Sequence, residues 1–196
     1  MIIDAHTHLL GETEAEAGKL LQEMDLAGID KALILANPEL TNEEAVGIAK
    51  SHPDRLFAVA HASPKVVSIP EIKNWLAAGE VRGVKFYTGY EHFYPNDSML
   101  FPCLRDISES GFPVIFHTGD TYNKRSDARL RYAHPLSIDE VANEFPNLPI
   151  IIAHMGYPLI LDAAAVLYKN PNVYADISGW VYGEFDAEDV EYLTRK

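Results

Sequence analysis

The sequence predicts an α/β fold of the TIM-like (β/α)-barrel type, and three observations carry that prediction. Short β-rich runs alternate with segments of helical periodicity, several of the runs are apolar throughout, and their ends recur every 23 to 37 residues with no linker between them. Continuously apolar runs such as "KALILAN" and "PIIIAH" are the pattern of parallel strands covered on both faces. An even strand–helix beat suits a barrel better than a doubly wound sheet.

The first strand lies in "MIIDAHTHLL". Later strand candidates are Lys31–Ala36, Arg55–His61, Arg82–Thr88, Pro113–His117, Pro149–His154 and Val173–Ile177, each following a turn signal. Between them, Ala17, Leu20, Leu21, Met24 and Ala27 recur at helical spacing before Gly28. Ile69, Ile72, Trp75 and Leu76 do the same before Gly79, so a glycine closes both helices. Asn42 before "EEAV" and Ser137 before "IDEV" read as N-caps with acidic first turns. Seven strands are countable, and the last helical stretch, "DAEDVEYLTRK", ends at Lys196. A complete eight-fold barrel takes about 250 residues. The expectation is therefore one domain over residues 1–196 that lacks its eighth strand–helix unit, either truncated at the C-terminus or open at a seam between strands seven and one. An unpaired seam would be an aggregation or dimerisation hazard.

With 47% hydrophobic residues among 196, the chain can bury one sizeable core. Its 16 Lys+Arg against 29 Asp+Glu leave a net charge of −13, a field that repels nucleic-acid backbones and anionic membrane surfaces. The single cysteine, Cys103, forms no internal disulfide, which fits a reducing compartment. No basic leader precedes the first strand, and no run approaches the roughly 18 apolar residues of a membrane span. These features point to a cytoplasmic protein.

On a strand, residues two apart share a face, so Asp4, His6 and His8 are expected to point together toward the barrel axis. His117 closes "PVIFH" and His154 closes "IIIAH", placing both at the C-terminal strand ends where barrel active sites form. Any one of these residues alone reads as an ordinary half-buried histidine. An HxH pair on the first strand with one histidine at each of two later consecutive strand ends reads as a metal site. Neutral imidazole suits zinc, iron, nickel or copper, and carboxylate ligands would admit manganese. His61 either lines the pocket or is structural, His52 is a surface residue, and His92 and His134 sit in loops.

Together "IDAHTHL", "MDLAGIDKALIL", "GVKFYTGY", "FPVIFHTGD", "PIIIAHMGYP" and "NVYADISG" resemble the metal-dependent amidohydrolase superfamily, in its amidohydrolase-related (amidohydrolase 2) branch. The resemblance runs from Ile2 to about Gly179. That branch contains hydrolases of small amides and lactones and non-oxidative decarboxylases. The resemblance implies that His6 and His8 bind the more buried ion and that His117 is a further ligand. It implies that His154 either positions water or substrate or holds a second ion. Lys85 matches a position that is carboxylated in some members; here it is expected as a catalytic pocket residue, or as a group that only neutralises nearby acidic charge. The branch also uses an aspartate at the end of strand eight, which this sequence lacks; Asp176 matches a different position. Apart from the resemblance, Asp176 is expected to contact substrate, and Tyr87 is expected either to contact substrate as part of an apolar wall or to pack the mouth.

The connection from Gly119 to Pro135 is long for a barrel loop and carries Lys124, Arg125, Arg129 and Arg131. Arg129 and Arg131 are expected to meet an anionic substrate; the alternative is a solvated basic loop. Tyr90, Phe93, Tyr94, Trp180 and Tyr182 either wall an apolar pocket or pack the mouth loops. The expected activity is metal-dependent hydrolysis of a small amide, lactone or ester by metal-activated water, with a divalent ion, zinc first and manganese or iron next. The alternatives are a metal-dependent decarboxylase and a catalytically silent fragment or binding module. The expected partner is a small-molecule substrate, with a homodimer left open.

Overall fold

The computed structural model describes residues 1–9, 14–64, 69–120 and 127–179. Its strands are β1 (Ile3–Thr7), β2 (Lys31–Leu35), β3 (Leu56–His61), β4 (Val81–Phe86), β5 (Val114–Phe116), β6 (Ile150–Ile152) and β7 (Val173–Ala175). They form one sheet in sequence order, each parallel to the next. The helices between them are α1 (Glu14–Ala27), α2 (Asn42–Ser51), α3 (Ile69–Ala78), α4 (Thr88–Glu91), α5 (Phe101–Ser110), α6 (Ser137–Glu144) and α7 (Ile160–Lys169). This is the expected strand–helix alternation of a barrel, curled but partial. Among the described residues there is no eighth strand, and the stretch expected as the last helix lies outside them.

Strand pairing sorts the apolar residues into two cores. Ala32, Ile34, Ala58, Ala60, Val84, Phe86, Val114, Phe116, Ile150 and Ile152 face the helices, where Met24, Ile48, Ile72, Leu104, Ile107, Val141 and Val166 meet them. The residues that alternate with these face inward: Leu35, Val59, Ile115 and Ala153 form a separate buried cluster with Leu33 and Ile151 against it. Two-sided coverage is why these strands carry uninterrupted apolar runs. The inner cluster plugs the lower barrel and leaves its C-terminal rim to polar groups.

Glycine closes α1 and α3 as expected, with Gly28 at φ +70 and Gly79 at φ +67. The N-termini differ from expectation. Thr41, not Asn42, caps α2: its side chain accepts from the Glu44 backbone N–H, and Glu44 accepts from the Thr41 N–H, a reciprocal capping box. Asn42 instead turns toward β3, where its amide bonds both the N–H and the carbonyl of His61. Ser137 lies inside α6 and donates its hydroxyl to the His134 carbonyl, so it is not a cap.

A second difference lies in β1. Asp4 pairs with Ala32 and Thr7 with Ile34, so β1 carries one extra residue between them, a bulge. Ala32 and Ile34 belong to the helix-facing core. Asp4 therefore does not share a face with the two histidines. Its carboxylate accepts from the His6 backbone N–H at 2.9 Å and the Thr7 hydroxyl at 2.7 Å, bracing the bulge that aims His6 and His8 inward.

Ile115 is fully buried in the inner cluster. Ile115→Ala is expected to cost about 2–5 kcal/mol, the usual range for truncating a core isoleucine. A urea titration followed by far-UV circular dichroism reads this as a lowered midpoint.

Candidate metal centre

Four imidazoles meet at the C-terminal rim. His6 Nε2 lies 3.2 Å from His8 Nε2, and His154 Nε2 lies 3.3 Å from His117 Nδ1. The rings of His6 and His154 have centroids 4.9 Å apart, which joins the two pairs. Each elevated strand end contributes differently. His8 is exposed at the rim, whereas His117 is 6% exposed.

Hydrogen bonds to the outer ring nitrogens decide which inner nitrogens are bare. A carbonyl or carboxylate oxygen only accepts, so the nitrogen facing it must carry the proton. Asp120 O sits 2.9 Å from His117 Nε2, which leaves His117 Nδ1 with its lone pair. The Ser178 carbonyl sits 2.9 Å from His154 Nδ1, which leaves His154 Nε2 bare. Asp176 Oδ2 sits 2.8 Å from His6 Nδ1, which leaves His6 Nε2 bare. The 3.3 Å pair thus brings two lone pairs face to face.

Asp176 and Ser178 were not anticipated in this role. Asp176 has both oxygens engaged: Oδ2 by His6, and Oδ1 by the His154 backbone N–H at 2.9 Å and the Ser178 N–H at 3.1 Å. The carboxylate expected to touch substrate is thus occupied in holding imidazoles. One ligand atom from each of His6, His154 and Asp176 lies within 4.8 Å of the others. The "DIS" spacing after β7 was the available signal, since a carboxylate and a hydroxyl two apart at a strand end share a direction.

Lys85 is fully buried between the inner apolar cluster and the imidazoles, with Nζ 3.5 Å from His6 Nε2. Burial lowers its amine to about 7, with the Asp176 carboxylate opposing. Burial lowers His6 to about 3, and the Lys85 charge adds to it. His8, His117 and His154 are lowered by the same two causes in the same order. Burial disfavours the Asp176 carboxylate, but its bond and charge contact with His6, followed by Lys85 and Ser178, outweigh this and hold it well below the usual range.

The loops that carry His117 and His154 are locked together. Gly119, at φ +75, lies so close to the next loop that a Cβ there would collide with the Tyr157 carbonyl and sit 2.6 Å from the Gly156 carbonyl carbon. The Asp120 N–H donates to that same Tyr157 carbonyl at 2.6 Å. His154 is not a strand-end residue as expected; it follows β6 at φ 58, with Met155 at φ 49. Left-handed backbone at non-glycine residues is uncommon and collects at functional sites.

Other expected residues are distributed around this centre. Tyr87 donates its hydroxyl to Ala36 O at 2.9 Å, and its ring packs against His61, His117 and His8. His61 lines the same mouth, with Nε2 3.0 Å from Glu91 Oε1. Tyr90 contacts the His117 ring, while Phe93 is buried against Phe86 and Tyr94 packs on Tyr132. Arg129 is exposed, and Arg131 lies over the Tyr132 ring and donates to its hydroxyl at 2.7 Å. His92 Nε2 bonds Asp127 O, His134 pairs with Asp162 at 3.8 Å, and His52 pairs with Glu14. Lys124, Arg125, Trp180 and Tyr182 lie outside the described residues.

The donor set fits a metal ion. Two nitrogens each roughly 2.0–2.1 Å from a tetrahedral ion lie about 3.3–3.4 Å apart. The separations of 3.2 and 3.3 Å match that spacing, and in the 3.3 Å pair the two facing nitrogens are both bare.

The rim gathers imidazoles from the ends of β1, β5 and β6, and the sequence profile of the amidohydrolase family matches residues 3–194. The chain belongs to that family. Its fold is similar to an uncharacterized TIM-barrel protein, Bb4693, from Bordetella bronchiseptica, at 20% identity and a TM-score of 0.78, covering 100% of this chain and 81% of that one. It is similar to a probable 2-pyrone-4,6-dicarboxylic acid hydrolase from Acinetobacter baumannii, at 18% identity and a TM-score of 0.68, covering 91% and 70%. It is also similar to a 5-carboxyvanillate decarboxylase from Novosphingobium aromaticivorans complexed with manganese, at 17% identity and a TM-score of 0.57, covering 82% and 54%. Among curated protein sequences none matches. No helix of the described residues is long and apolar enough to cross a membrane.

The lowered imidazoles have a stability consequence. Between about pH 6.5 and pH 3 the unfolded chain binds protons that folded His6 refuses, so stability is present above that window and lost as pH falls through it. The other three imidazoles act with the same sign. Urea midpoints of the metal-free protein are expected to fall steadily from pH 7 to pH 4.

Proposed function

We propose that the protein is a metal-dependent hydrolase of a small anionic lactone, amide or ester. The observation that carries this reading is the pair of facing bare nitrogens at 3.3 Å, His117 Nδ1 and His154 Nε2, beside His6 and His8. Lone pairs held this close repel unless a cation lies between them. His6, His8, His117 and His154 are the residues we assign to hold a divalent ion, zinc by its preference for imidazole nitrogen, with manganese the ion in one similar fold. Such an ion supplies Lewis acidity, polarising the oxygen under attack and making hydroxide available near neutral pH.

The chain's own residues supply the rest. Asp176 keeps the His6 ring in place through Nδ1 and fixes the His154 backbone. Lys85, buried and lowered to about 7, is placed to take or give a proton at Nζ, 3.5 Å from His6 Nε2. Tyr87, its hydroxyl committed to Ala36 O, offers a ring face as an apolar wall. Arg129 and Arg131 stand on the connection after β5 and are assigned to steer an anion to the mouth. Two of the similar folds are named for carboxylate substrates, a pyrone dicarboxylic acid and a carboxyvanillate, which supports that charge. The second name also supports decarboxylation as the competing reaction.

The test loads the protein with zinc or manganese and assays lactones, amides, esters and aromatic acids for hydrolysis and for carbon dioxide release in parallel. Hydrolysis is expected. Carbon dioxide release alone would replace this reading with a decarboxylase, and binding of metal with neither reaction would replace it with a silent binding module. His6→Ala and His117→Ala are each expected to weaken metal binding by at least the roughly 10–100-fold seen when a ligand's support is removed. Unchanged metal content in both variants would overturn the assignment of ligands.

A further inference from the structure

His61 closes β3 on the inner side of the sheet. Val59, two residues earlier, belongs to the inner cluster, so the two side chains share a face. Across the pairing of β3 with β4, His61 stands opposite Lys85, whose Nζ reaches His6. Its ring meets the Tyr87 ring edge-on with centroids 4.9 Å apart, and Tyr87 also packs against His8 and His117. One aromatic ring thus separates His61 from the imidazole centre.

The His61 ring is held on one side. Nε2 lies 3.0 Å from Glu91 Oε1, and the two side chains are 15% and 18% exposed. A carboxylate oxygen only accepts, so Nε2 carries the proton and Nδ1 of the neutral ring is a lone pair. Nδ1 has no hydrogen-bond partner among the described residues and is not shut off from solvent. The ring is not needed to pin the strand end, because the Asn42 amide already bonds the His61 N–H at 2.7 Å and its carbonyl at 3.0 Å. An imidazole oriented by a carboxylate, with its second nitrogen open at the C-terminal end of a barrel strand, is built to accept from a ligand.

We propose that His61 is a substrate-binding residue: its Nδ1 accepts a hydrogen bond from an N–H or O–H group of the substrate, and Glu91 keeps it an acceptor. The proposal rests on the metal-dependent hydrolase reading above and narrows its substrate class. A primary or secondary amide carries such a donor itself, whereas a lactone or ester needs a hydroxyl near the reacting group. An ether or ester oxygen opposite Nδ1 brings lone pair against lone pair, so compounds without a donor are disfavoured.

Matched pairs of small carboxylate-bearing compounds test this: a secondary amide against its N-methylated form, and a hydroxy ester against its methoxy form. With zinc-loaded protein, the preference for the donor-bearing member is read as a ratio of kcat/KM. That ratio is expected to be about 3–10-fold larger in wild type than in His61→Phe, the size of one hydrogen bond, with the difference in KM. His61→Phe keeps a ring against Tyr87 but has no lone pair. Glu91→Ala, which lets the proton sit on either nitrogen, is expected to lower the ratio as well. An unchanged ratio in folded His61→Phe overturns the proposal, and one in Glu91→Ala overturns the part given to Glu91. Histidine nitrogen spectra of the wild type are expected to show protonated Nε2 and bare Nδ1 at His61, with the Nδ1 resonance moving only on addition of the donor-bearing compounds. Protonated Nδ1, or movement with both members of a pair or with neither, overturns the proposal. If no compound is hydrolysed, the hydrolase reading fails and these spectra alone decide for or against His61. If His61→Phe does not fold, the same wild-type spectra carry the decision.

Discussion

The bond from His6 Nδ1 to Asp176 Oδ2, 2.8 Å long and closing 170 residues of chain, is the contact on which the centre depends. β1 and β7 are the two ends of the described sheet and pair only with their inner neighbours. What joins them at the rim is this side-chain contact, with Ser178 beside it. The same carboxylate reaches the His154 backbone, so the first and sixth strand ends are referred to one fixed anion. A carboxylate with both oxygens engaged in this way holds the imidazoles in a defined geometry before any ion is present.

Much of the fold was legible because it depends on local pattern. Continuous apolar runs marked the strands, and glycines marked the ends of α1 and α3 at positions where the backbone does turn left-handed. The gathering of His6, His8, His117 and His154 followed from strand ends and parallel order. The misreadings share one cause. Asn42, Ser137 and Asp4 are short polar side chains next to the start or end of an element, and each has more than one donor or acceptor within reach. Asn42 was drawn across to His61, Ser137 back to His134, and Asp4 into a bulge that alternation alone does not foresee. Asp176 was expected at the substrate, and only three-dimensional closure shows that its oxygens also reach His6, the His154 backbone and Ser178.

The strained turn after β6 completes the picture from the other side. His154 and Met155 adopt a conformation costly for residues with a Cβ, and the His154 backbone N–H is held there by Asp176 Oδ1. Gly119 allows the β5 loop to press against Tyr157, and Asp120 then bonds both that loop and His117. Two of the imidazoles are thus positioned by one interlocked pair of loops rather than by their strands. This explains why they face each other across 3.3 Å although β5 and β6 end at Phe116 and Ile152.

Because the centre draws on residue 6 and on residues 176 and 178, it is a late event in the life of the chain. During synthesis, at about 5–20 residues per second, the first histidines emerge many seconds before the carboxylate that orients His6. Until then His6 is free to adopt either tautomer and the growing chain carries loose imidazoles without a shared anion. The assembled centre is therefore a chemical record that translation has passed Ser178 and that the first and last described strands have found each other.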